Sequence, residues 1–146
     1  MKQKYPVLAV PVGSSFNGLK KILFACEDVN KVQEEIINRI RSLAALPGSE
    51  VEVFHVQNKE VADADLSSPV ITEGLEGVNH YYKRVTSRTV IKEIEKEVKR
   101  FGADLLVMMP KKYGFWESII HRSKTRIMAS NNSVPLLSLP FPAKSN

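Results

Sequence analysis

At 146 residues, with 43% hydrophobic and 25% charged residues, the chain has the makeup of one globular domain, long enough to bury roughly 68–70% of its unfolded surface. The formal net charge of +5 raises a nucleic-acid partner, but the cations run from Lys2 to Lys144 and mix with acids, so none is expected. The single cysteine excludes an intrachain disulfide, no apolar run approaches the ~20 residues of a membrane span, and there is no signal-peptide core, which together predict a cytoplasmic protein without membrane partners.

In chain order, residues 7–10 form a short apolar run between Pro6 and Pro11 and predict a strand capped at both ends. A loop rich in Gly and Ser follows over 12–18. Residues 22–26 are continuously apolar, the mark of a strand buried on both faces. A helix is expected from Asp28 or Asn30, because Asn30-x-x-Gln33 has capping-box spacing and Val32, Ile36, Ile40 and Leu43 form a stripe. Pro47-Gly48 ends it. Residues 50–56 alternate as a strand. Periodicity fails over 57–77, leaving a long connection with room for one short helix, a length that marks a functional or mobile segment. Residues 79–85 suit a strand, their tyrosines favouring a pleated surface. Val90, Ile91, Ile94, Val98 and Phe101 define the next helix, with Gly102 as its C-terminal stop and the charged run 92–97 as its solvated face. Residues 105–109 predict a buried strand, a helix broken near Arg122 follows, and 135–139 predict the last strand. Strands alternating with helices imply a parallel sheet with right-handed crossovers.

Four segments resemble a universal stress protein domain. Lys20-Lys-Ile-Leu-Phe-Ala-Cys-Glu-Asp28 is similar to its opening strand, which ends in a carboxylate beside the nucleotide. Glu50-Val-Glu-Val-Phe-His-Val56 resembles the second strand, Gly102-Ala-Asp-Leu-Leu-Val-Met108 the segment before the phosphate loop, and Pro135-Leu-Leu-Ser-Leu-Pro140 the closing strand. The likeness covers about residues 20–140 and is absent over 57–77. It implies an α/β fold in three α/β/α layers: an open five-stranded parallel sheet of the adenine nucleotide alpha hydrolase-like type, plus an added antiparallel N-terminal strand.

In that family a Gly-x2-Gly-x9-Gly-Ser pattern wraps ATP phosphates. Its spacing stands here as Met109-x2-Lys112-x9-Arg122-Ser123, with all three glycines replaced and Glu27 where nucleotide-binding members carry Asp. Glycines there allow positive φ and close backbone approach to the anion, and an ordinary residue forced left-handed costs ~1–2 kcal/mol. The ATP site therefore reads as degenerate and no cofactor is expected. Two further readings stay open: that Lys112, Arg122 and Lys124 hold an anion around a helix start, and that they are simply solvated.

Pro6-Val-Leu-Ala-Val-Pro11 echoes the closing segment, and family members often occur in tandem. The resemblance implies that 1–19 are the last strand and linker of a preceding domain, 20–140 the domain proper and 141–146 a tail. Val7, Leu8 and Val10 would pair with Leu136, Leu137 and Leu139, within one chain or by exchange, giving a homodimer or pseudo-dimer through the terminal strands. Otherwise both would be exposed apolar edges, which sheets avoid.

Other candidates carry less. Phe115 and Trp116 suit a lid more than a base-stacking pair. Cys26 reads as a small hydrophobe rather than a redox centre. His55 and His80 lack metal-ligand companions, Asp63 and Asp65 are too few for calcium, and no serine lies in Gly-x-Ser-x-Gly. The leading expectation is a non-catalytic stress-response module acting by dimerisation and partner binding, with 110–124 and 57–77 as recognition surface. The alternative is a nucleotide-binding member using Glu27, Met108 and Ser123, with weak hydrolysis. An adenylate-handling enzyme of a related superfamily is a third reading, without the Gly-rich and His signatures it needs.

Overall fold

The computed structural model describes residues 5–14, 18–57, 67–109 and 134–140. The helix expected near Arg122, Lys112, Ser123, Lys124, the Phe115–Trp116 pair, the Asp63–Asp65 pair and the tail 141–146 lie outside them. The chain runs β1 (Val7–Ala9), β2 (Lys21–Cys26), a 3₁₀ turn (Val29–Lys31), α1 (Glu34–Leu43), β3 (Glu50–Gln57), α2 (Pro69–Gly74), β4 (Asn79–Thr86), α3 (Val90–Phe101), β5 (Leu105–Met108) and β6 (Leu136–Ser138).

The strands form one six-stranded sheet in the order β1-β6-β5-β2-β3-β4. β2 pairs in parallel with both β3 and β5, β3 with β4 and β5 with β6, while β1 lies antiparallel on β6. The five parallel strands and the antiparallel addition are those implied by the resemblance. The β1–β6 register is Val7↔Ser138, Leu8↔Leu137 and Ala9↔Leu136, within one chain, and it stops short of Val10 and Leu139.

Right-handed crossovers dictate where the helices go. The steps β2→β3→β4 move one way across the sheet, placing α1 and α2 on one face, where they pack together. The step β4→β5 returns past β3 and β2, so α3 covers the opposite face. The period-two alternation of strands divides the core accordingly. Ile22, Phe24, Val51, Val53, Leu105 and Val107 point to α1 and α2, and Leu23, Ala25, Phe54, Leu106 and Met108 to α3. Burying each large side chain contributes about 1.5–3 kcal/mol, so a run apolar at every position is what a sheet covered on both faces requires.

The start of α1 differs from the expected capping box. Asp28 is the cap, its carboxylate accepting from the Asn30 N–H at 2.9 Å, but of the 3₁₀ turn. Val32 is extended, so Val29 and Val32 are both buried, and α1 begins only at Glu34 without a side-chain cap. Burial of two valines outweighs a hydrogen bond worth about 1 kcal/mol. Ile37, absent from the expected stripe, is fully buried. The long connection carries α2 as its one described helix, tied to β4 by a 2.7 Å bond between the Thr72 and Tyr82 hydroxyls.

Candidate functional site

In an open sheet of this topology, ligands bind beyond the C-terminal ends of the strands where the winding reverses. Here the reversal falls between β2 and β5, so the crevice is bordered by Cys26-Glu27-Asp28 and by Met109. Glu27 is exposed there. The Asp28 carboxylate holds the 3₁₀ turn at the crevice edge. His55, half-buried at the neighbouring end of β3, places Nδ1 3.1 Å from the Cys26 carbonyl oxygen. A carbonyl only accepts, so Nδ1 carries the proton and, in the neutral ring, Nε2 is left as an acceptor. Cys26 itself is 3% exposed, and burial, with the Asp28 charge adding, pushes its thiol up to about 12. At neutral pH the thiolate is essentially absent, and with it nucleophilic or redox chemistry.

Of the residues expected to hold a nucleotide or anion, Glu27 is the one that meets this crevice with an exposed side chain among the described residues. Met108 is fully buried among the side chains beneath α3, and its carbonyl accepts from the Leu139 N–H at 2.9 Å. Met109 closes the opposite core at 8% exposure. Among the described residues no three His, Cys, Asp or Glu side chains converge in a manner suited to a metal, and no helix is long and apolar enough to cross a membrane.

A second cluster lies under α3, and it corrects the expectation that the run 92–97 is solvated. Glu97 is buried, 3% exposed, facing Glu52 of β3, equally buried. Lys83 of β4 donates to both Glu97 oxygens, at 2.7 and 3.1 Å. Arg100 donates from Nε at 2.5 and 2.9 Å and from Nη2 at 2.6 Å to Glu97, and from the same Nη2 to Glu52 Oε2 at 3.0 Å. Burial would raise Glu97, but hydrogen bonds from Arg100, Glu52 and Lys83 outweigh it and hold the carboxyl low. Burial, then Glu97, push Glu52 up to about 7, against Arg100 and Lys83. Positions 90, 94, 97 and 101 share one helix face, so the stripe itself was the signal that Glu97 points inward.

The largest exposed apolar side chains among the described residues gather at the other edge of the sheet. Of eight, five (Tyr5, Val7, Leu8, Val10 and Val12) lie on or beside β1. β1 is bonded to β6 on one side and is the last strand of the described sheet on the other.

No family model and no curated protein matches the chain. Among solved structures it is similar to a universal stress protein from Archaeoglobus fulgidus DSM 4304, at 19% identity and a TM-score of 0.69, over 99% of this chain and 52% of that one. It therefore spans about half the length of that protein. It is also similar to a second universal stress protein from Archaeoglobus fulgidus, at 17% identity and a TM-score of 0.53, over 82% of this chain and 94% of that one. The match takes in the sheet together with its N-terminal strand, and the chain has the universal stress protein fold.

Proposed function

We propose that the chain is a universal stress protein-like module that acts by association through β1, not by catalysis, and that its ATP crevice is degenerate. The observation that carries this reading is the apolar surface at residues 5–12, on and beside β1, which among the described residues is the last strand of the sheet. Single exposed hydrophobes are normal, but five on one edge make a patch of the kind that marks an interface. The occupant is a second copy of the chain, its β1 laid against this one. Sedimentation equilibrium tests it. The natural chain is expected to be a dimer and Leu8→Lys a monomer of unchanged circular dichroism; a natural chain monomeric at every concentration would sink the proposal.

The degenerate crevice is supported by Met109, whose side chain seals the core where the family's first loop glycine would stand. A nucleotide-binding reading is favoured by one observation, the exposed Glu27 at the switch point. Thermal unfolding with and without about 1 mM Mg-ATP separates the two, since a ligand of the folded state raises the midpoint. No shift is expected in the natural chain. A shift abolished by Glu27→Ala would establish the nucleotide reading, with Arg122→Gly reporting whether the lost glycine matters.

A further inference from the structure

The buried cluster under α3 is unused by the crevice and by the β1 edge. Its hydrogen bonds are lopsided: of six from cation to carboxylate, five end on Glu97 and one on Glu52. The cations reach water, with side chains 36% (Lys83) and 55% (Arg100) exposed, whereas Glu97 and Glu52 are 4% and 5% exposed. Glu52 Oε1 is fully buried and has no hydrogen-bond partner among the described residues. An ionised carboxylate with one such oxygen bears a desolvation cost that a proton on it removes.

The surrounding groups leave Glu52 as the one that titrates. On the α3 face, β2 brings Lys21, whose ammonium lies 5.5 Å over the Phe101 ring. β3 brings Glu52 with Glu50 at its outer end, and β4 brings Lys83 with Tyr81, half-exposed. From α3 come Glu97 and Arg100, with Glu93 occupied by Lys96 at 3.6 Å. Glu97, saturated by donors, stays ionised and balances one cation. A change of charge on Glu52 leaves the hydrogen bonds from Lys83 and Arg100 to Glu97 in place and removes the one that Glu52 lends to Glu97.

We infer that Glu52 is a proton-uptake site that sets how firmly α3 clamps the β3–β4 edge of the sheet. With the proton on, the seam between α3 and β3 holds a neutral carboxyl. With it off, a second buried anion stands beside Glu97, and the helix relieves it by parting from the strand to admit water. The direction of the Glu52 shift agrees with this geometry.

Two measurements on the natural chain and Glu52→Gln test the inference. Carbon-13 NMR of the glutamate carboxyls, assigned by the resonance missing in Glu52→Gln, should show Glu52 titrating near neutral pH, above the exposed glutamates. Amide hydrogen exchange across residues 90–101, corrected for intrinsic rates, should lose protection on the order of 100-fold from pH 5 to pH 8 in the natural chain and stay level in Glu52→Gln. Glu52 titrating with the surface carboxylates, or parallel exchange profiles in the two proteins, would overturn it. Should Glu52→Gln fail to fold, Glu52→Asp serves for the assignment, and the titration and exchange of the natural chain decide.

Discussion

A carboxylate under a helix illustrates how a residue's surroundings, not its type, set its chemistry. Glu52 and Glu97 share a cluster, yet burial and donors pull them in opposite directions. For Glu97, held low, the stabilising contribution is present above the ordinary 4.5 and is lost as pH falls below it. For Glu52, raised, it is complete below 4.5 and is lost as pH rises through about 7. Denaturant titrations should therefore show the cluster contributing most near pH 4.5–5. Glu97→Gln should cost about 2–3 kcal/mol near neutral pH, below the ~3–5 of a fully buried broken pair because Lys83 and Arg100 retain water. Cys26 makes a complementary prediction. With a buried thiol pushed up to about 12, its alkylation in folded protein should be slow and should track global unfolding as denaturant is added. The sequence marked Cys26 as a small hydrophobe and, through the stripe at 90, 94, 97 and 101, Glu97 as inward, but not the pairing of Glu97 with Glu52, which lies 45 positions away.

At the scale of elements, the strands were the most legible, because the apolar runs at 22–26 and 105–109, the alternation at 50–56 and the tyrosines at 79–85 have few other readings in an alternating α/β pattern. β2, β3, β4 and β5 lie within a residue of their expected bounds. The entry to α1 was not legible, since the capping spacing at Asn30 competes with the burial of Val29 and Val32, which depends on the sheet beneath. Close contact between α1 and α2 is similarly invisible. A Cβ on Gly74 would fall 2.1 Å from Ile37 Cγ2 and 3.2 Å from Ile37 Cβ, and Ile37 is fully buried. Gly74→Ala should lower stability by about 1–3 kcal/mol, and combining it with Ile37→Ala should cost less than the two changes added separately. Gly102 belongs to another class: it ends α3 at φ 71°, and a Cβ there would meet only the Lys21 side chain, at an ordinary 4.0 Å, so Gly102→Ala should cost only the ~1 kcal/mol of a left-handed residue. Thermal or urea unfolding of these variants separates the steric from the conformational penalty.

For the whole molecule, β1 decides what the sheet presents to its surroundings. Removing residues 1–12 would bare the β6 edge, and the expected outcome is a lower unfolding midpoint with concentration-dependent light scattering. The candidate crevice was legible as far as Glu27, because a carboxylate ending the first parallel strand falls at the reversal of winding whatever the packing around it. Met108 was not, since neighbours at 108 and 109 on a strand face opposite layers, and only the register with β2 and β6 says which layer each enters. What the sequence determined by itself is the α/β alternation, the parallel sheet and a short apolar strand at 7–10, whose antiparallel place in the sheet was implied by the family resemblance. Hydrophobic periodicity and turn chemistry act over a few residues and are written in the chain. What only the tertiary structure decided is the pairing of Glu52 with Glu97, the seat of α1 and the closure of the core at Met108 and Met109. Those depend on desolvation and contact between segments distant in sequence, and such terms exist only once the layers have closed.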